Sequence, residues 1–274
     1  MKKKKRLFIY LISVIACCVA IFPFYWLFNT SLQTLKDLFA YPPRFLPRVN
    51  IIDSYITYIK QSPILIWLKN SFLVSGIATF FSTFVAIPGA YSISRFRYRG
   101  RALFIFIVLL TQMLPFVLLI IPLYLVFARL HMNNTLYALM VVYTAITVPI
   151  GIWFLKGFFD AIPKDLEDAA VIDGCSRIGA LVRIILPLSV PGIIATATWS
   201  FIVAWDEFLF AYTLVDSEKM WVVSVGLAAY IGQYSTPWNQ IMSGAVMGTI
   251  PVVIMFMFFQ RYLVSGLTAG SVKQ

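Results

Sequence analysis

Long stretches without a charged residue are the feature that most constrains how this chain can fold. Residues 70–94, 102–128 and 132–155 contain no Asp, Glu, Lys or Arg, and each exceeds the roughly 20 residues that an α-helix needs to cross a bilayer. Only 12% of the 274 residues are charged and 61% are hydrophobic, whereas a soluble domain carries about 25% and 45–50%. This pattern excludes an ordinary soluble enzyme, a disordered chain and a disulfide scaffold, and it predicts a multi-spanning membrane protein.

The charged residues mark the ends of six predicted transmembrane helices in an all-α fold. The predicted spans are residues 7–28, 70–94, 102–128, 132–155, 188–215 and 241–260. We expect residues 1–274 to form a single transmembrane domain. Residues 221–231 lie between the last two spans, where a short outer helix or re-entrant segment is expected and a seventh span is the alternative.

Lys and Arg are unequally divided between the two sides of the predicted membrane protein. One side holds residues 1–6, 95–101, 156–183 and 261–274, which carry fifteen Lys and Arg, and the other side carries seven. Because positive loops stay in the cytoplasm, we predict that both termini and the longest loop, residues 156–187, are cytoplasmic. The net charge of +11 is split into short clusters, so nucleic acid is not an expected partner.

The N-terminal segment allows a second interpretation. The basic run at residues 2–6 and the following apolar stretch resemble a signal peptide, and residues 14–17 resemble a lipoprotein cleavage site before Cys17. The chain stays apolar as far as Phe28, which favours an uncleaved first span.

Residue patterns typical of catalysis or metal binding are absent from the sequence. There is no G-x-x-x-x-G-K-[ST] motif for nucleotide phosphates. His131 is the single histidine, and Cys17, Cys18 and Cys175 lack the spacing of metal ligands. We therefore expect that the chain is not an enzyme and binds no metal or cofactor.

Asp206 and Glu207 are the two charged residues within a predicted span, and such residues are functional candidates. Asp206 follows Pro191 by 15 residues, which places it about 22 Å into a hydrocarbon core of about 30 Å. Two interpretations stay open. The pair, with neighbouring Trp205, lines a hydrophilic substrate pathway, or the carboxylates reach the outer interface. Proton coupling would need ionisable groups in other spans, and those are missing.

The predicted loop 156–187 carries the signals of two short helices joined by a glycine. Pro163 suits the first helical position, and Asp165, Glu167 and Asp168 follow in the first turns, where the helix dipole favours negative charge. Gly174 suits the residue after the helix end, where a bulky side chain would strain a left-handed conformation.

The second helix of this loop, and the face that the first helix presents, can also be predicted. Ser176 can cap the second helix and Pro187 is expected to break it. Leu166, Ala169 and Ala170 are predicted to share a face that is shallow enough for another protein surface to approach.

Several segments of the sequence resemble a known family. Asp168-Ala169-Ala170, Gly174, Ile184 and Leu186-Pro187 resemble the E-A-A-x3-G-x9-I-x-L-P signature of ABC importer permeases, with Asp in place of the first Glu. Further similarities to maltose-type carbohydrate permeases are Asn70-Ser71, Asn134-Thr135, Pro149, residues 158–163, Trp205-Asp206-Glu207-Phe208 and residues 260–270.

This resemblance implies a carbohydrate permease subunit in the cytoplasmic membrane of a bacterium or archaeon. The implied partners are a second, different permease, two ATPase subunits that bind ATP and Mg²⁺, and an extracellular solute-binding protein. The implied ATPase-coupling residues are Glu167, Asp168, Ala169, Ala170, Asp173, Gly174, Ile184, Leu186 and Pro187. Maltose or malto-oligosaccharide is the expected solute. Galacto-oligosaccharide, polyol and glycerol phosphate are alternatives, and an ion-coupled secondary carrier is the alternative from another class.

Overall fold

Every regular element in the described part of the chain is helical, which confirms the all-α prediction. A computed structural model describes residues 2–47, 51–232 and 236–269. The α-helices are α1 Lys2–Ser31, α2 Leu35–Leu38, α3 Ile51–Gln61, α4 Ile64–Arg95, α5 Arg101–Met113, α6 Ile120–Arg129, α7 Leu136–Ala161, α8 Lys164–Ile172, α9 Arg177–Ala180, α10 Leu186–Leu188, α11 Val190–Asp206, α12 Leu209–Leu214, α13 Val223–Ala228 and α14 Trp238–Ala269. Phe116–Leu119 and Glu218–Met220 are 3₁₀ turns, and Leu181–Ile185 is a π-helical turn.

Four helices of the described chain are long and apolar enough to cross a membrane. These spans are Lys5–Ser31, Ile64–Arg95, Leu136–Ala161 and Trp238–Tyr262. Two bent helix pairs, Arg101–Met113 with Phe116–Arg129 and Arg177–Leu188 with Val190–Asp206, raise the number to six if each pair is one span. The predicted six spans therefore equal the upper number, and the sidedness of the termini stays a prediction.

Two of the predicted spans contain interrupted helices, and whether each bent pair crosses the membrane as one span stays a prediction. The span predicted at 102–128 bends by 93° because Pro115 lacks an amide hydrogen and favours the extended conformation of Leu114 (ψ 127°). The helix predicted to continue to residue 215 ends at Asp206, since Glu207 is extended and α12 begins separately. Residues 221–231 contain the six-residue helix α13 rather than a seventh span.

The described chain divides into two compact units. The first comprises Met1–Leu65 and Gly226–Pro251, and in it α14 lies very close to α3 and α13. A Cβ atom on Gly244 would lie 2.4 Å from the Tyr58 hydroxyl and 2.4 Å from the Leu227 side chain. Burial raises the pKa of Tyr58 to about 12, so the phenol is neutral at this contact.

The second unit comprises Ile66–Val225 and Val252–Gln274, and α7 packs there against α4 and α11. A Cβ atom on Gly151 of α7 would lie 3.1 Å from Ala86 and 3.4 Å from Thr196. Because Gly151 has no side chain, the backbones of the three helices approach closely. The prediction of one domain over residues 1–274 stays a prediction.

Two of the polar motifs singled out in the sequence hold the segment between α12 and α13. The Asn70 amide donates to the carbonyl oxygens of Lys219 and Trp221 at 3.0 and 2.8 Å. Asn134 has a left-handed backbone (φ 58°), and its side-chain oxygen accepts hydrogen bonds from the backbone amides of residues 216 and 217. These asparagines therefore order a loop that is distant from both of them in sequence.

Candidate functional site

The segment α8–α9 forms the pair of short helices expected from the sequence. Pro163 is the N-cap of α8 rather than its first residue, and α8 ends at Ile172. Gly174 follows with φ +90°, and its amide donates to the carbonyl oxygen of Val171 at 3.1 Å. The Ser176 hydroxyl accepts from the Gly179 amide at 3.0 Å and caps α9. The predicted left-handed turn and serine cap are therefore confirmed.

The predicted end of the second helix is wrong by two residues. Pro187 does not break the helix, because the backbone stays helical from the π-turn Leu181–Ile185 into α10, and the Leu186 amide donates to the Leu181 carbonyl oxygen. The backbone instead bends at Ser189, between Arg177–Leu188 and Val190–Asp206, by 77°.

A buried ionic cluster joins α8 to the end of α4. The side chain of Glu167 is 2% exposed, and its Oε2 atom lies 3.1 Å from Nε of Arg95, whose side chain is also buried. Its Oε1 atom accepts from the Tyr91 hydroxyl at 2.6 Å and from Nη1 of Arg177 at 3.3 Å. The carboxylate is thus balanced by two guanidinium groups, as a buried charge requires.

The last turn of α4 also holds the end of α7. Nη2 of Arg95 donates to the carbonyl oxygen of Ile162 at 3.0 Å, and the Ser94 hydroxyl donates to Asp160 at 2.6 Å. Asp160 also pairs with Lys156 along α7. One helix end therefore fixes both the end of α7 and the middle of α8.

The predicted ATPase-coupling residues are divided between the surface and the interior of this segment. Asp168, Ala169, Asp173, Gly174 and Pro187 are exposed, Ile184 and Leu186 are half-buried, and Glu167 and Ala170 are buried. The face predicted from Leu166, Ala169 and Ala170 is wrong for Ala170, which packs inward. The exposed apolar residues around it are Leu166, Val171, Ile172, Ile178 and Val182, and Ile172 is 86% exposed.

The three residues predicted to line a substrate pathway have different environments. Trp205 is buried, and its ring centroid lies 5.1 Å from that of Phe72 and 5.5 Å from that of Phe201. Asp206 is exposed, and its carboxylate makes no hydrogen bond or ion pair with the rest of the described chain. Their predicted contact with substrate stays a prediction.

Glu207 caps the short helix α12. Its Oε1 atom accepts from the Phe210 amide at 3.0 Å, and its Oε2 atom accepts from the Ala211 amide at 3.3 Å. The Tyr143 hydroxyl donates to the same Oε2 atom at 2.8 Å. These bonds satisfy amides of the first turn of α12 that have no partner within the helix, and they give Glu207 a structural role.

Replacement of Glu207 by alanine should destabilise the protein more than the same change at Asp206. Glu207→Ala leaves two amides and a phenol without their charged acceptor, and we expect a loss of about 2–3 kcal/mol. Asp206→Ala removes an exposed carboxylate and should stay within about 0.5 kcal/mol. Thermal unfolding of the purified variants in detergent measures both changes, and equal shifts in the unfolding midpoint would contradict the capping role.

Sequence reasoning missed the basic and phenolic partners of Glu167. Tyr91 and Arg95 precede it by more than 70 residues, and no motif connects them to the loop. The available signal was the last turn of a long apolar helix, where a basic side chain can reach a neighbouring carboxylate. That signal does not identify which carboxylate is contacted.

Comparison with known proteins identifies the family. The profile of the family "Binding-protein-dependent transport system inner membrane component" matches residues 78–269. The trehalose/maltose transport system permease protein MalG of Thermococcus litoralis is 37% identical over 277 aligned positions, which cover 98% of this chain and 97% of that protein. The sulfoquinovosyl glycerol transport system permease protein SmoH of Agrobacterium fabrum is 35% identical and covers 92% and 89% of the two chains.

A solved structure shares the fold. A chain of a bacterial ABC transporter that imports the acidic polysaccharide alginate matches with a TM-score of 0.76 at 21% identity, over 94% of this chain and 97% of that chain. The fold and the matches define a membrane-embedded helical permease whose ATPase resides in separate subunits, so this chain is not itself an enzyme. The chain belongs to the family of binding-protein-dependent transport system inner membrane components.

Proposed function

We propose that this chain is one permease subunit of an ATP-driven importer for carbohydrate, with α8 and α9 as its docking site for an ATPase subunit. The observation that carries the proposal is the exposed apolar surface on a short helix whose other side is fixed by the buried Arg95–Glu167 ion pair. A rigid, partly apolar projection is suited to a cleft in a partner protein, because docking then orders few additional side chains. The positive loops support a cytoplasmic position for it.

The complete transporter in this proposal contains four subunits and a delivery protein. A second, different permease completes the pathway through the cytoplasmic membrane, two ATPase subunits bind ATP and Mg²⁺ below it, and an extracellular binding protein presents the solute. The family description supports dependence on a binding protein. ATP-driven closure of the ATPase subunits moves the docked loops and switches the membrane helices between two arrangements.

The proposed solute is an α-linked glucose disaccharide or oligosaccharide of the maltose type. Similarity to the trehalose/maltose permease over nearly the whole chain supports this choice. The similarity to the sulfoquinovosyl glycerol permease makes an anionic sugar glycoside the second candidate. Of the predicted pathway residues Trp205, Asp206 and Glu207, Asp206 is the exposed one. Its carboxylate can accept hydrogen bonds from neutral sugar hydroxyls but repels an anionic solute, which favours a neutral sugar.

The proposal is tested on the complex purified through a tag on this chain, expressed from its native genomic setting. We expect a second permease and two ATPase copies per tagged chain. Maltose or maltotriose with the binding protein should stimulate ATP hydrolysis by the reconstituted complex. Stimulation by sulfoquinovosyl glycerol instead would show that the proposed solute is wrong. A tagged chain that purifies alone and exchanges solute without ATP would show that the protein is a secondary carrier and not an importer subunit.

A further inference from the structure

Helix α8 is joined to the neighbouring helices by two non-helical links. At one end Ile162 (ψ 124°) and Pro163 (ψ 135°) separate it from α7. At the other end Gly174 has a left-handed backbone before α9. The links are not continuous helix, and turn hydrogen bonds hold each of them. The Ile162 amide donates to the Phe159 carbonyl oxygen at 3.1 Å, and the Cys175 amide donates to that of Ala170 at 2.9 Å. A force applied to α8 through the chain connection alone would therefore pass through two short turns rather than through a continuous helix.

The cluster around Glu167 supplies an attachment that does not use the chain connection. Glu167 lies in the interior of α8, and its carboxylate contacts Arg95 and Tyr91, which are one turn apart near the end of α4. Arg95 also binds the Ile162 carbonyl oxygen in the link itself. Since both charged groups are almost completely buried, their interaction is weakly screened by water.

The helix that receives this attachment, α4, also packs against α11 and α7. The Phe72 ring near its other end contacts Trp205 on α11 at 5.1 Å. A Cβ atom on Gly151 of α7 would lie 3.1 Å from Ala86 of α4, so the two helices are closely packed. A displacement of the end of α4 should therefore move α7 and α11 as well, because closely packed protein interiors transmit strain.

We propose that the buried contact of Glu167 with Arg95 and Tyr91 is the joint through which movement of α8 is transmitted to the membrane helix α4. Glu167 is in this account a positioning residue that acts inside the chain, whereas the ATPase contacts the exposed residues of α8 and α9. The inference rests on the proposed function. It assigns to Arg95 and Tyr91 a role in energy coupling that is independent of solute recognition.

The test uses the full transporter in proteoliposomes, with ATP hydrolysis and solute uptake measured on the same sample. Glu167→Gln keeps the shape of the side chain and removes its charge. We expect ATPase copies to co-purify as in the wild type and hydrolysis to continue, while solute transported per ATP falls at least about tenfold because one partner of a buried pair is lost. Arg95→Gln should have the same effect, and Tyr91→Phe a smaller one.

The matched control is Lys156→Gln, which breaks the more exposed Lys156–Asp160 pair within α7. It should leave transport per ATP within about twofold of the wild type, since exposed pairs contribute little. The double variant with Arg95→Gln and Glu167→Gln should lose no more than either single variant, because the two residues act as one contact.

The outcomes separate this inference from the proposed function. The proposed joint would be contradicted if Glu167→Gln and Arg95→Gln left the transport per ATP unchanged. Additive losses in the double variant would contradict it as well. Failure of ATPase subunits to co-purify with Glu167→Gln would also overturn it, because Glu167 would then serve docking rather than transmission. Absence of ATP-driven uptake by the wild-type complex would instead overturn the proposed function and, with it, the inference.

Discussion

Gly174→Val should abolish most solute uptake while the chain still inserts into the membrane and binds its partners. The residue has φ +90°, and a Cβ atom built on it meets no heavy atom within 4 Å. The cost is therefore conformational: a β-branched residue is forced out of the left-handed region, at about 1–2 kcal/mol or more. Leaving that region reorients α8 relative to α9, and uptake should fall at least about tenfold.

A series of substitutions at Gly174 distinguishes backbone strain from lost space. Gly174→Asn should retain uptake within about threefold, because asparagine tolerates the left-handed conformation, and Gly174→Ala should be intermediate. Gly174→Asp adds a negative charge at the C-terminal end of α8, which the helix dipole disfavours, and should lose uptake although insertion is intact. Uptake assays with membrane fractions quantified by immunoblot measure the series, and equal uptake by Val and Asn variants would contradict the explanation.

Gly192→Ala should reduce the stability of the whole second unit. A Cβ atom at this position would lie 2.3 Å from Cγ of Phe158, the ring atom closest to the backbone, so α11 and α7 must move apart. Overpacking of this kind costs about 1–3 kcal/mol, and we expect the upper part of that range. The unfolding midpoint in detergent and the amount of protein recovered from membranes should both decrease.

Two variants provide the controls for this prediction. A Cβ atom on Gly157 of α7 would meet no neighbouring heavy atom within 4 Å. Gly157→Ala should therefore stabilise this helix by roughly 0.5–1 kcal/mol. Adding Phe158→Ala to Gly192→Ala removes the clashing ring and should cost less than the sum of the two single changes. Strict additivity would show that the ring is not the cause.

The sequence determined the membrane class and the local chemistry of the loop because both depend on neighbouring residues. Uncharged runs predict spans, and the positions of Gly174 and Ser176 predict a left-handed turn and a cap. A proline shows where a helix can break but not which residue leaves the helical conformation, so the positions of the bends at Leu114 and Ser189 could not be predicted.

The side-chain pairings that the sequence did not predict are contacts between residues that lie far apart along the chain. Glu167 pairs with Arg95, and Glu207 accepts hydrogen bonds from Tyr143 and from the first turn of α12. In each case the pairing follows from how the helices pack, and a single sequence contains no signal for that arrangement. The similarity of residues 260–270 to maltose-type permeases includes Gly270, which lies outside the described residues.

The central claim is that the exposed side of α8 contacts an ATPase subunit, and photo-cross-linking measures this contact directly. A benzoylphenylalanine residue replaces Ile172, which is 86% exposed on α8, and Tyr137, which is 70% exposed near the opposite end of α7, serves as the control. Irradiation of the complete transporter should give an adduct between the Ile172 variant and the ATPase, with a yield that changes on addition of ATP. Absence of that adduct, or the same yield from the Tyr137 variant, would contradict the account.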